Sequence, residues 1–318
     1  MKRTFLRTKA WFTVPLFMVV AIIAPCVCFA QTETTTDTAT ITTLATSFAV
    51  GRGPGAVVFD GSNIWVANQF GNSVTKLRAS DGVTLGTFPT GFRPSALAYD
   101  GNSVWVANRF SNNVMKLRAS DGALLKTIQA CQSPEGLVFD GTSVWVANGG
   151  DGTVTKLSLR DGAKLGTFTV GGRPIALASD GANIWVANND SNSVTKLRAE
   201  DGVNLGTFRA GQRPAGIAFD GVNICVTNFY SQSVTRLRAV DGTLVDRIAV
   251  GDGPASIVFI GGYLWVANYG GGSISRIAPS GSVVNTYSVG KTPSGVASDG
   301  VSIWVASGSN NSVSRVIL

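Results

Sequence analysis

From residue 51 to Leu318 the chain repeats strand-length apolar and alternating stretches, four to a unit, with turn residues between them. In the first unit, Ala56 to Phe59 is short and apolar, and Asn63 to Asn68 sets Trp65 among aliphatic residues. Ser73 to Arg78 alternates, with Val74, Lys76 and Arg78 on one side and Thr75 and Leu77 on the other. Thr84 to Thr90 closes the unit. Asp60-Gly61 and Asp81-Gly82 supply tight turns, where a residue able to adopt positive φ is favoured. No stretch after residue 30 carries a helical period, so the pattern predicts an all-β fold.

The unit recurs with a period of 40 residues, starting at Gly51, Gly91, Cys131, Gly171, Gly211, Gly251 and Gly290. A proline stands fourth in every copy: Pro54, Pro94, Pro134, Pro174, Pro214, Pro254 and Pro293. Repetition at this spacing, with four strands per copy, predicts a seven-bladed β-propeller spanning residues 45–318. The seventh copy stops after its third strand. Ala45 to Val50 resembles Leu85 to Thr90, with Phe48 falling where Phe88 falls. The N-terminal strand is therefore expected to complete the last blade, leaving no open edge. Trp65, Trp105, Trp145, Trp185, Trp265 and Trp304 recur mid-strand between aliphatic residues and are expected to pack blade on blade. The asparagines from Asn68 to Asn268 are expected to close that strand and cap the turn after it.

Ahead of the repeats, Lys2, Arg3, Arg7 and Lys9 precede an apolar run from Trp11 to about Val27 and a break at Ala30. A basic start, an apolar middle and a small residue at the break describe a secretory signal over residues 1–30, followed by a tail over 31–44. An uncleaved anchor is the competing reading, but Pro15 and Pro25 interrupt the run. The expected protein is exported, periplasmic or extracellular, and without a membrane span once the signal is cleaved. Losing those four cations leaves 22 basic against 19 acidic side chains. A net of +3 is weak support for nucleic acid as a partner. Cys131 and Cys225 remain, at different points of the repeat, and no bridge is expected. Cys225 stands where other copies have Trp and reads as a small buried apolar substitute.

The unit G-x-x-P, an apolar strand, D-G, I-W-V-A-N and S-V-T-K-L resembles the YVTN β-propeller repeat, with W-V-A-N in place of Y-V-T-N. The resemblance covers residues 45–318 and implies an exported, seven-bladed propeller. Some members resemble surface-layer components, and one periplasmic group is associated with single-stranded DNA. In pattern the chain is also similar to the streptogramin B lyases, which rely on histidine, a metal ion and acidic residues. The sequence contains no histidine, so no catalytic residue carries over, and Ser-His-Asp, Cys-His and histidine-ligated metal chemistry are excluded. No enzyme activity and no cofactor are expected.

Propeller topology places the inter-blade connections and the loops between second and third strands on one face, the top. The bottom carries the Asp-Gly turns, alike in every blade: Asp60, Asp100, Asp140, Asp180, Asp220 and Asp299 in one set, Asp81, Asp121, Asp161, Asp201 and Asp241 in the other. Turn geometry accounts for them without calcium. Lys76, Arg78 and their counterparts near the same end are expected to offset these aspartates as solvated pairs. The top is where the repeats differ. Arg52, Arg93, Arg173, Arg213 and Lys291 are expected around the channel mouth, opposed by Glu135 and Asp252. Phe70, Arg109, Phe110, Phe229, Tyr230 and Tyr269 occupy the neighbouring loops. Cations beside exposed aromatics suit an anionic or ring-bearing ligand. The expected role is a monomeric binding or scaffold protein for a protein, glycan or cell-envelope polymer. Single-stranded DNA or another polyanion is the alternative ligand, and a lyase-like activity the second alternative.

Overall fold

A computed structural model of the chain describes residues 45–129 and 132–318. The expected signal and tail, residues 1–44, and Cys131 lie outside the described residues. Seven four-stranded antiparallel sheets form the blades of a propeller. In blade one, β1 of the chain (Thr46–Ala49) is absent, and the blade is built from β2 (Pro54–Phe59), β3 (Asn63–Asn68), β4 (Ser73–Arg78) and β5 (Thr84–Pro89), in that order from the centre outward. The innermost strand starts at Pro54 rather than Ala56. Pro54 pairs with Asn68 across an irregularity at Gly55, and a strand's first residue is a position where a missing N–H costs no ladder bond.

Strand β1 pairs with Ser312–Ile317, the third strand of blade seven, with Phe48 opposite Val313. The N-terminal strand thus completes the last blade, as the Phe48/Phe88 correspondence predicts. Phe48 lies 5.4 Å from the ring of Trp304. It also packs so closely on Gly82 of blade one that a Cβ there would come within 2.0 Å of the ring. The contact recurs between blades one and two, where Phe88 covers both Trp65 and Gly122.

The tryptophans are fully buried or nearly so and lie between successive blades. Five of the six indoles also hold the bottom turns, whereas Trp265, whose blade has Ile260 in place of the aspartate, keeps a buried Nε1–H without a hydrogen-bond partner among the described residues. Asp60 Oδ1 accepts the N–H groups of Ser62 and Asn63, while Oδ2 accepts Trp65 Nε1–H at 2.7 Å. The same indole–carboxylate bond joins Trp105 to Asp100, Trp145 to Asp140, Trp185 to Asp180 and Trp304 to Asp299. Burial pushes the Asp140 and Asp180 carboxyls up, but the indole and turn donors outweigh it and hold both below the ordinary carboxylate value.

The basic residues of the third strand divide into two kinds, which corrects their reading as uniformly solvated. Arg78, Arg118, Arg198 and Arg238 are exposed and pair with the turn aspartates three residues on. Lys76, two residues before Arg78, is instead buried. It lies 5.2 Å from the Trp65 ring centroid and donates to Ala119 O of the next blade at 2.7 Å. Lys116, Lys156 and Lys196 repeat the bond to Leu159 O, Ala199 O and Ala239 O, and Arg315 carries it across the closure to Ser80 O. A charged donor on a partly buried carbonyl contributes about 1.5–3 kcal/mol, so these side chains fasten neighbouring blades. The asparagines close the second strand as expected, but Asn68 is buried and its Nδ2 donates to the Ser73 and Thr75 hydroxyls of the next strand, locking a hairpin rather than capping the turn.

Blade five departs from the rule as a set. Cys225 is buried in the tryptophan position, 3.6 Å from Asp220. Burial first, and the Asp220 charge second, push its thiol well above the ordinary value, so it stays a neutral filler. Arg236 replaces lysine, still reaches Pro279 O of the next blade, and is gripped by both oxygens of Asp246.

Candidate functional site

In each blade two top loops zip together through backbone bonds. Gln69 N–H donates to Gly53 O and Phe70 N–H to Arg52 O; Arg109 and Phe110 do the same to Arg93 O and Phe92 O. The third residue of the repeat is left-handed in all seven copies: Gly53, Arg93, Ser133, Arg173, Arg213, Gly253 and Thr292 have φ between 49° and 62°. An asparagine of the preceding blade fixes several of them. Asn72 accepts from Arg93 N–H, Asn192 from Arg213 N–H, and Asn311 from Gly53 N–H across the closure. Glycine adopts this conformation freely, whereas other residues are strained there. Arginine stands at three of these positions all the same.

Each of those arginines reaches back to the blade before it. Arg173 donates through Nε to Glu135 at 3.1 Å, and Arg109 lies 3.4 Å from the same carboxylate, whose side chain is only 11% exposed. Arg213 binds Asp190 and, at 2.9 Å, Asn189 Oδ1, and lies 5.9 Å from the Tyr230 ring. Arg93 meets no carboxylate among the described residues. Its guanidinium lies 4.9 Å from the Phe70 ring and 5.1 Å from the Phe110 ring.

The remaining residues expected here fall in two places. Arg52, Lys291 and Asp252 stand second in the repeat and are exposed. They come one residue before the left-handed position, and Asp252 accepts a bond from Gln232. Phe229, Tyr230 and Tyr269 form one aromatic cluster across blades five and six, with centroids 5.6 and 6.1 Å apart. Asn189, Asp190 and the exposed Phe92 also belong to this face, and the sequence reading passed over them. Asn189 and Asp190 occupy the same repeat positions as Arg109 and Phe110, which is the signal that would have found them.

Below the mouth the innermost strands line a central channel of about 200 Å³. Glu135 is the one charged residue lining it among the described residues; its counterparts Gly55, Ser95, Ile175, Ala215, Ala255 and Ser294 are small or apolar. Adjacent strands approach so closely that a Cβ on Gly136 would lie 2.6 Å from Ile175 O. Among the described residues no three or more Cys, Asp or Glu side chains are grouped so as to hold a metal ion, and no helix is long and apolar enough to cross a membrane.

No protein-family model matches the sequence, and no curated protein matches it at a significant level. Solved structures match its fold. A chain of the Kuenenia stuttgartiensis hydrazine synthase superposes with a TM-score of 0.76 at 19% identity, covering 85% of this chain and 97% of that one. A streptogramin B lyase gives 0.74 at 17% identity, covering 85% and 96%. The WD40 repeats of RRP9 give 0.76 at 14% identity, covering 86% and 100%. At these identities the likeness is one of architecture, shared with enzymes and with WD40 repeats alike.

Proposed function

We propose that this is a YVTN-type propeller, exported by its N-terminal signal, that acts as a non-enzymatic binding or scaffold protein and engages a protein, glycan or cell-envelope polymer through the top face. The observation that carries the reading is arginine at three left-handed positions where two other blades carry glycine. A scaffold alone needs no side chain there, and residues held in such conformations gather at functional sites. The exposed rings of Phe70, Phe110 and Tyr230 lie within 6 Å of those cations, a surface suited to flat or charged ligand groups.

The test compares two purified variants with the parent on a panel of soluble envelope glycans and labelled oligo-dT. One carries Arg213→Ala, Phe229→Ala and Tyr269→Ala on the top; the other carries Arg78→Ala, Arg118→Ala and Arg198→Ala on the bottom. The reading expects binding to be lost in the first and kept in the second. Loss confined to the bottom variant would overturn it. Single-stranded nucleic acid is the second reading, favoured by Arg93, which meets no carboxylate among the described residues; it requires binding that weakens steeply with salt.

A further inference from the structure

The three left-handed arginines share a backbone position but not a fate. Arg173 and Arg213 spend their charge on Glu135 and on Asp190. Arg93 makes no side-chain hydrogen bond or ion pair among the described residues. Its contacts are the rings of Phe70, from the blade before, and Phe110, from its own. Both rings are more than half exposed, so they do not hold the cation in a core.

The two rings in contact with the Arg93 guanidinium offer aromatic carbon and no acceptor oxygen, so its N–H edge is left for another partner. That edge carries five N–H donors in a fixed fork matching the paired oxygens of a carboxylate or phosphate. A long side chain already ordered by its stack loses less freedom when a ligand arrives. The surroundings point the same way. The top loops of blades seven, one and two carry Lys291, Arg52, Arg93 and Arg109, and their described residues include no Asp or Glu. The top-loop acids Asp151, Asp190 and Asp252 lie in blades three, four and six. Arg109 also lies 5.6 Å from the Phe110 ring and shares the single carboxylate of Glu135 with Arg173, so positive charge is in excess beside Arg93.

We propose that Arg93, clamped between Phe70 and Phe110, is an oxyanion-recognition point that takes a carboxylate or phosphate-type group of whatever the top face binds. This rests on the top face being the binding face and adds the chemistry of one contact within it. Phenylalanine stacking supplies orientation, the guanidinium edge supplies paired donors, and the basic sector of blades seven to two draws the anion in.

The experiment titrates the full protein with inorganic phosphate and, separately, with acetate, while arginine Nε–H resonances are followed by NMR. The Arg93 signal is identified as the one lost in Arg93→Lys. It is expected to shift and saturate with a dissociation constant of about 1–10 mM, the range of a single charged contact. Phe70→Leu with Phe110→Leu is expected to weaken that binding about tenfold with an unchanged melting temperature, and Arg118→Ala on the bottom to leave it alone. Saturation by phosphate alone assigns a phosphate-type group, and by acetate alone a carboxylate. The proposal falls if the Arg93 signal moves no more than that of exposed Arg78 under either anion, or if the leucine variant binds as tightly as the parent. Polymer binding that survives such a result, and is still lost in the top-face triple variant, would leave the wider function standing without this contact.

Discussion

The bottom and the top of this propeller are built from the same repeat, yet they treat charge in opposite ways. On the bottom, most polar side chains that recur have a partner supplied by the frame. Asp60 serves its own turn and Trp65, Lys76 serves the next blade's carbonyl, and Arg78 serves Asp81. On the top, one backbone position carries arginine three times, and each copy ends in a different environment: a nearly buried carboxylate, an exposed carboxylate with an amide, and a pair of phenyl rings. A repeated residue with a repeated partner is architecture. A repeated residue with changing partners is what the proposed binding face requires.

The largest expected effect breaks the frame that both faces share. Removing residues 41–50 strips the fourth strand from blade seven, takes Phe48 from Trp304, and exposes the edge of Ser312–Ile317. The melting temperature is expected to fall by about 10 °C or more; a protein starting at Gly51 that melted like the parent would refute closure by this strand.

A second effect tests whether the blade-five exceptions form one unit. Cys225→Trp alone overfills a site shaped around Arg236 and Asp246, and is expected to cost about 1–3 kcal/mol in urea unfolding. Adding Arg236→Lys and Asp246→Gly restores the set found around Trp65, Lys76 and Gly86. Most of the loss is then expected to be recovered; additive costs would show that the three positions are independent.

A smaller effect separates the faces by pH. Asp140 and Asp180 titrate below their unfolded value. The stability they give is therefore complete above the ordinary carboxylate pKa and is lost as pH falls through their lower, folded values. Between pH 5 and pH 3 the parent is expected to lose thermal stability. The Asp140→Asn, Asp180→Asn variant starts lower and declines less steeply. Parallel declines would show that these carboxyls do not contribute.

The smallest effect is expected on the top. Tyr230→Ala, at an exposed loop residue, should change unfolding free energy by no more than about 0.5 kcal/mol. A loss comparable to the blade-five substitutions would make the aromatic cluster part of the frame after all.

The sequence carried the fold because the propeller writes its geometry into a 40-residue period. The equivalence of Phe48 with Phe88 was enough to predict which strand closes the ring. The buried lysines escaped that reading because Lys76 and Arg78 lie on the same side of one strand, and only stacking against the next blade buries one and leaves the other in water. The top loops were recognisable by their variation. Their pairings were not, since Arg173 to Glu135 and Arg93 to Phe70 join residues of different blades, and left-handed backbone decides the direction of each reach.

Closure between Thr46–Ala49 and Ser312–Ile317 also has a consequence in time. Blades one to six are made of contiguous chain and can assemble one after another as it elongates. The seventh cannot, because its outer strand precedes blade one along the chain and its other three follow blade six. Until Ser312–Arg315 exist, β1 has no partner, and until blade seven forms, the face of blade one that packs on it has no neighbour. Chains interrupted before the strand that receives β1 therefore carry two unsatisfied surfaces of the kind that join to each other, and a misplaced stop between residues 290 and 311 should yield oligomers rather than a shortened monomer.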